Sequence, residues 1–242
     1  MKVSVISYPR ALPVGDSGVS IEFGDEIDVH LSEKVIALDA AITASRQQGL
    51  IETVPTYRSL LIHYDPLTTT YDHIAEVALA LVKNLGSQTL IGRLLRIPVC
   101  YEGDFGVDIP QVASALKITS DELIARHTAP EYRVYMLGFQ PGFAYLGGLD
   151  SKLSLPRRPS PRHGAPPGTI SIAAAQCAVH AVEGPSGWHW IGRTPMPTYE
   201  DGEPPVFAIK PGDRIRFFAI TADEWRCMRR AVLDGKTVIE SI

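Results

Sequence analysis

"RLLRIPVCY", Arg93–Tyr101, is the stretch whose assignment organises the chain. It reads as a strand, and the sequence has a different texture on each side of it. On the N-terminal side, long elements alternate. "GVSIEFG" (Gly18–Gly24) is β-branched and aromatic and reads as a strand. "LSEKVIALDAAITASRQQ" (Leu31–Gln48) places Val35, Leu38, Ala41 and Ile42 on one face of a helix that Gly49 ends. "IETVPTYRSLLIHYD" (Ile51–Asp65) reads as two short strands with Pro55 near the break, and "TYDHIAEVALALVKNLG" (Thr70–Gly86) as a second helix with Ile74, Val77, Leu81 and Leu85 as its apolar stripe. With Arg93–Tyr101 as the last member, the order is β-α-β-β-α-β, the split βαβ pattern of ferredoxin-like folds.

After Tyr101 the elements shorten. "DIPQVASALK" and "TSDELIARHTA" read as short helices, the second with Thr119 and Glu122 at capping-box spacing. Strands are expected in "YRVYMLGF", "GTISIAA", "CAVHAV", "GWHWIGRT" and "DRIRFFAI", separated by Pro- and Gly-rich turns, a pattern that predicts a β-barrel. A last helix, "TADEWRCMRRAVLDG", carries a second capping box at Thr221 and Glu224. The sequence thus predicts an α+β protein: a ferredoxin-like subdomain over residues 1–100 and a barrel domain over 101–242, with the boundary near 98–106.

Composition excludes several classes. The 242 residues are 45% hydrophobic and 21% charged, as in a soluble globular protein, and the net charge of −4 argues against general nucleic-acid binding. No apolar run reaches the ~18 residues of a membrane span. "MKVSVISYPRALPVGD" breaks at Pro9 and Pro13 and lacks a signal-peptide apolar core, so a cytoplasmic location is expected. Cys100, Cys177 and Cys227 are odd in number and widely spaced, which argues against a disulfide framework or thiolate zinc site. "GDSG" (Gly15–Gly18) resembles a serine-protease signature, but no His precedes Ser17, and the turn reading is preferred. There is no P-loop, no G-x-G-x-x-G after a strand and no H-E-x-x-H, and the seven His residues show no ligand spacing, so no metal site is expected.

The dense region is "GFQPGFAYLGGL" (Gly138–Leu149) with the segment after it. Four glycines, one proline and three aromatics occupy twelve positions, and six prolines punctuate the 27 residues from Pro141 to Pro167. Such a stiffened loop is neither helix nor strand interior, and long ordered loops are usually functional. Lys152, Arg157, Arg158 and Arg162 cluster there, with Asp150 the only acid between Tyr132 and Glu183. Arginines in that density suit a planar or bidentate anion. Phe139, Phe143 and Trp188 are expected as an apolar wall, and "GWHWIGRTP" adds Arg193 to the cations. Three readings stay open on these residues: a plug in the barrel mouth, a partner-binding surface, or a small-molecule site.

"HTAPEYRVYMLGFQPGFAYLGGL", "LPRRPSPRHGAPPGTISIA" and "GPSGWHWIGRTP", in that order, resemble the family of the 5-oxoprolinase B subunit, also described as allophanate hydrolase subunit 1 or the KipI family of sporulation-kinase inhibitors. "VPTYRSLLIHYDP" and "RIPVCYEGDFGVDIPQVA" extend the resemblance over nearly the whole chain. It implies an N-terminal α/β subdomain and a C-terminal cyclophilin-like barrel, similar to a carboxyltransferase domain of urea carboxylase. It implies a larger partner, the C-type component of the KipA family (allophanate hydrolase subunit 2), and a third, A-type component of the LamB/YcsF kind. Together these would open 5-oxoproline to glutamate with ATP and Mg2+ held at or near the partner interface, the B–C pair activating the lactam by phosphorylation.

Under that chemistry Arg157, Arg158, Arg162 and Arg193 are expected to bind carboxylate or phosphate. Gln140 and Tyr145 would orient substrate, and His127 would carry a proton. The sequence departs from the family where Pro185-Ser186-Gly187-Trp188 replaces Pro-Gly-Gly-Trp and His180-Ala181 replaces Tyr-Pro. Other substrates of the class are amides, lactams and urea derivatives. Other functions compatible with the resemblance are inhibition of a sensor histidine kinase, a subunit role in an allophanate or urea-amide hydrolase or carboxylase system and, from the cyclophilin-like barrel, proline isomerisation.

Overall fold

The computed structural model describes residues 7–86, 92–202, 206–235 and 240–241. Residues 1–6, part of the stretch read above for a leader, lie outside them. The chain divides into two compact units, Met1–Ile91 and Gly92–Ile242.

The first unit is a four-stranded antiparallel sheet carrying two helices. Its elements are β1 (Arg10–Val14), β2 (Gly18–Glu22), α1 (Val29–Ala44), β3 (Leu50–Pro55), β4 (Ser59–Tyr64) and α2 (Tyr71–Lys83), with strand order β1-β2-β4-β3. Strand β4 lies between β2 and β3 and is antiparallel to both, so β2-α1-β3 is a split βαβ unit. Alternation along β4 buries Leu60, Ile62 and Tyr64 against Val35, Leu38 and Ile42 of α1 and Ile74, Ala75 and Ala78 of α2. The stripe on α2 thus runs through its alanines, and Val77 and Leu81 are only half-buried.

The position beside β2 that was expected for Arg93–Tyr101 is filled by β1. Gly15, Asp16 and Ser17 form a tight turn with Gly15 at φ 59°, and the hairpin registers Val14 on Gly18. That is the "GDSG" segment, here a hairpin turn. A local hairpin needs only a short loop closure, whereas the distant strand has another place to go.

That place is the second unit. Strand β5 (Leu94–Cys100) pairs in parallel with β15 along its whole length, and it buries Leu95, Ile97 and Val99 in the second core. The unit therefore begins ahead of the boundary expected at 98–106. Its remaining elements are α3 (Ile109–Leu116), α4 (Ser120–Thr128), β6 (Tyr132–Leu137), β7 (Ala144–Gly147), β8 (Arg162–Ala165), β9 (Thr169–Ala173), β10 (Gln176–Val179), β11 (Gly184–Ser186), β12 (His189–Arg193), β13 (Tyr199–Glu200), β14 (Val206–Phe207), β15 (Arg214–Ile220), α5 (Ala222–Leu233) and β16 (Glu240–Ser241). Seven strands run β12-β9-β10-β7-β6-β15-β5 and close through a β12–β5 pairing, with β16 added on β5. Closure leaves these strands no exposed edge. The result is the α+β class read from the sequence: a split βαβ unit followed by a β-barrel. No described helix is long and apolar enough to cross a membrane.

Capping follows the sequence at one helix and departs from it at another. Thr221 and Glu224 form the reciprocal box of α5. Thr119 accepts from the Glu122 N–H at 3.1 Å, but the Glu122 carboxylate turns to Arg126 at 2.6 Å, a charge-assisted bond that outcompetes a main-chain N–H.

Closure rests on a close backbone approach. A Cβ on Gly192 of β12 would lie 2.5 Å from Val99 Cγ1 and 3.1 Å from the Cys100 carbonyl oxygen on β5. Gly192→Ala is therefore expected to destabilise the protein by about 1–3 kcal/mol, the usual range for overpacking, read as a lower urea midpoint.

Candidate functional site

The loop between β6 and β7 opens the site. Phe139 and Gly142 both adopt left-handed backbone, at φ 68° and 70°. The Phe143 N–H donates to the Gln140 carbonyl at 3.1 Å, and the Gly138 N–H to that of Phe143 at 3.1 Å. A Cβ on Gly142 would meet Ala181 Cβ at 2.8 Å and Tyr199 Cβ at 2.6 Å, so only glycine lets the loop press onto the end of β10. This turn drives Phe143 inward among aromatic partners: Tyr145 at 4.8 Å between centroids, His180 at 4.7 Å edge-on, Trp188 at 6.4 Å and Phe139 at 5.5 Å.

These rings line a cavity of about 270 Å3, completed by Arg157, Pro161 and the main chain of Pro185–Trp188. Arg157 is its one cationic lining residue, with the guanidinium carbon 5.8 Å from the Trp188 ring centroid. Tyr145 is held protonated, its phenol pKa raised chiefly by burial and opposed by Arg157. The expected wall of Phe139, Phe143 and Trp188 is thus assembled, with Tyr145 and Arg157 beside it.

The other expected arginines lie elsewhere because an acid claims two of them. Asp108, 3% exposed at the start of α3, accepts from Arg158 Nη1 at 3.2 Å, from Arg162 Nη2, and from the Trp190 N–H at 2.7 Å. Arg162 also stacks on Trp190 at 4.1 Å. The proline segment is fastened further where the Arg158 N–H donates to the Gly187 carbonyl at 2.8 Å and His189 Nε2 bonds the Pro156 carbonyl at 3.0 Å. Arg158 and Arg162 therefore hold the segment in place, and Arg157, next to the first of these anchors, is the one left facing the cavity. Arg193 lies at the end of β12, donating to the Pro167 carbonyl at 3.0 Å and stacking on Trp225 of α5 at 5.2 Å, outside the cavity lining.

Gln140 sits behind the wall. Its Nε2 donates to the Glu183 carbonyl at 3.3 Å, and its amide packs where a Cβ on Gly184 would be, so it ties the loop to β11. His127 lies in the barrel core with no exposure. Its Nδ1 meets the Tyr101 hydroxyl at 2.8 Å, its Nε2 lies 3.4 Å from Cys177 Sγ, and its ring stacks on Phe217 at 4.9 Å. Burial pushes its pKa down to about 3, so the imidazole is neutral and walled off, which places the expected proton carrier outside the cavity lining.

The sequence gives no sign of Asp108, since its partners are 50 and 54 residues away. His180 stands out there only as a departure from the family's Tyr-Pro beside the expected mouth, with no role attached, and the fold places it in the cavity wall. Among the described residues no group of three His, Cys, Asp or Glu side chains could hold a metal ion.

A family model described as "Carboxyltransferase domain, subdomain C and D" matches residues 9–209. The chain belongs to this family. Within it, the chain is 34% identical to the 5-oxoprolinase B subunit of Bacillus subtilis (strain 168), over 89% of this chain and 95% of that one. The crystal structure of TTHA0988 matches with a TM-score of 0.75 at 33% identity, over 85% of this chain and 40% of that chain, so the match spans less than half of that protein. The Kluyveromyces lactis urea amidolyase matches with a TM-score of 0.80 at 17% identity, over 96% of this chain and 16% of that one, a likeness of fold.

The Asp108 hub makes a direct prediction. Asp108→Ala strands two partly buried guanidiniums and one N–H without an acceptor. It is expected to cost about 3 kcal/mol or more, the range for breaking a buried ion pair by removing one partner, read in urea unfolding. Asp108→Asn keeps the shape and an acceptor and is expected to cost less.

Proposed function

We propose that this chain is the B-like, non-autonomous subunit of an ATP-dependent 5-oxoprolinase complex that opens 5-oxoproline to glutamate, working with a larger C-like partner and an A-type third component. Its likeness to a curated 5-oxoprolinase B subunit over almost the full length of both chains supports this reading. The observation that carries it is the cavity itself: about 270 Å3 of aromatic wall with one guanidinium. 5-Oxoproline is a five-membered lactam bearing one carboxylate. Arg157 can take the carboxylate in a charge-assisted pair, while Phe143 and Trp188 cover the ring. Tyr145 borders the polar edge of the lactam, and Gln140 holds the loop in place from behind through the Glu183 carbonyl.

A triphosphate does not fit this cavity. It needs several cations about it, whereas the lining offers Arg157 alone. In this reading the nucleotide is held outside the cavity, on the partner's side of the complex. What this chain contributes is binding the small acid and fixing its ring.

The test is ATP hydrolysis and glutamate release with 5-oxoproline, measured on this protein co-purified with its larger partner and the third component, with each chain alone as control. Turnover only in the mixture, and only with 5-oxoproline, is expected. A stable complex that turns over another lactam or a urea derivative would reassign the substrate. Failure to form any complex would favour the kinase-inhibitor function.

A further inference from the structure

Two arginines meet where β12 ends against α5. Arg193 is the last residue of β12, and its Nε donates to the Pro167 carbonyl at 3.0 Å. Its guanidinium carbon lies 5.2 Å from the ring centroid of Trp225 on α5, and Trp225 in turn packs on Phe105 at 4.9 Å. Arg229 stands four residues after Trp225 and so shares its face of the helix. From there its Nη1 donates to the Pro195 carbonyl at 3.2 Å, two residues beyond Arg193. Both guanidiniums therefore lie by the same short stretch, Arg193–Pro195, one reaching it from the strand and one from the helix.

Like charges held together repel, and here no countercharge offsets them. Among the described residues neither guanidinium has a carboxylate partner. The acids beside the start of α5 are already engaged: Glu102 accepts from the Ala222 N–H at 3.1 Å, and Asp223 pairs with Arg226 at 2.6 Å. The Arg193 pKa is lowered by burial first and by the Arg229 charge second, yet a guanidinium stays charged. Carbonyl oxygens occupy only Arg193 Nε and Arg229 Nη1. No other nitrogen of the two is buried without a partner, and both side chains are half-buried, so their remaining N–H groups open to solvent.

The charge of the pair selects the class of anion. A carboxylate carries one negative charge and would leave one arginine unmatched. A phosphate carries close to two near neutral pH, and its oxygens accept from donors that do not share a plane. We propose that Arg193 and Arg229 form a phosphate site, which takes the dianion free or as the end group of a phosphate monoester. Neither arginine lines the Arg157 cavity, and the inference does not rest on the reading of that cavity as a 5-oxoproline site.

The experiment is calorimetric titration of the full chain with inorganic phosphate at fixed ionic strength, repeated with glycerol 3-phosphate. One phosphate per chain is expected. Arg193→Gln and Arg229→Gln are each expected to weaken binding roughly tenfold or more, the loss of one charge-assisted bond, with thermal melts confirming that both variants remain folded. Arg157→Ala, which removes the cation of the cavity, is expected to leave phosphate affinity unchanged. Glycerol 3-phosphate binding as tightly as phosphate would extend the assignment to esters, and its rejection would confine it to the free ion. Wild-type phosphate affinity in both Gln variants, or loss of binding in Arg157→Ala instead, would overturn the site. Absence of phosphate binding to the wild-type chain would overturn it too, and a complex with the larger partner weakened by the same two substitutions would then reassign the pair to a carboxylate of that partner.

Discussion

A carboxylate buried in a protein is costly unless its charge and lone pairs are met. Asp108 is met on every side. Two guanidiniums from the proline segment and one main-chain N–H from β12 converge on its oxygens, and its own N–H returns a bond to the Trp190 carbonyl at 3.0 Å. The consequence reaches beyond this cluster. The segment from Pro156 to Arg162 has little regular pairing of its own, and the carboxylate fixes it against β12 at both Arg158 and Arg162. With these two arginines held, Arg157 is directed to the cavity, over Trp188.

The same site shows two kinds of glycine and proline use. Left-handed backbone at Phe139 and Gly142 folds the loop so tightly that Phe143 enters the aromatic cluster. The prolines that follow remove donors from a segment with few main-chain partners, so it carries few unmet N–H groups. The aromatic wall and the single cation are therefore products of three connections, from β6 to β7, from β7 to β9 and, carrying Trp188, from β11 to β12, supported by a closed barrel. Barrel closure in turn depends on the bare backbone of Gly192 against β5.

Much of this was legible in the sequence. Periodicity marked both helices of the first unit, and the short strands between Pro- and Gly-rich turns marked the barrel. The aromatic wall was legible because Phe139, Phe143, Tyr145 and Trp188 crowd into segments rich in glycine. Strand β5 was misplaced because pairing is non-local: nothing in "RLLRIPVCY" says whether β2 or β15 will be its neighbour, and the hairpin through Gly15 had already filled the first choice. The arginines show the same limit. A cluster of Arg157, Arg158 and Arg162 in one segment looks like a single anion site, but the countercharge at Asp108 is about fifty residues upstream and becomes visible only in three dimensions. His127 and His180 look alike in sequence, and the fold buries one in the barrel core while bringing the other to the cavity.

The central claim is that Arg157 and the aromatic wall form the seat of a small acid. A crystal structure of the assembled complex with L-5-oxoproline tests it most directly. The account predicts the carboxylate paired with Arg157 and the lactam ring lying against Phe143 and Trp188. Electron density for the ligand elsewhere in the complex, with this cavity empty and Arg157 turned to solvent, would contradict it.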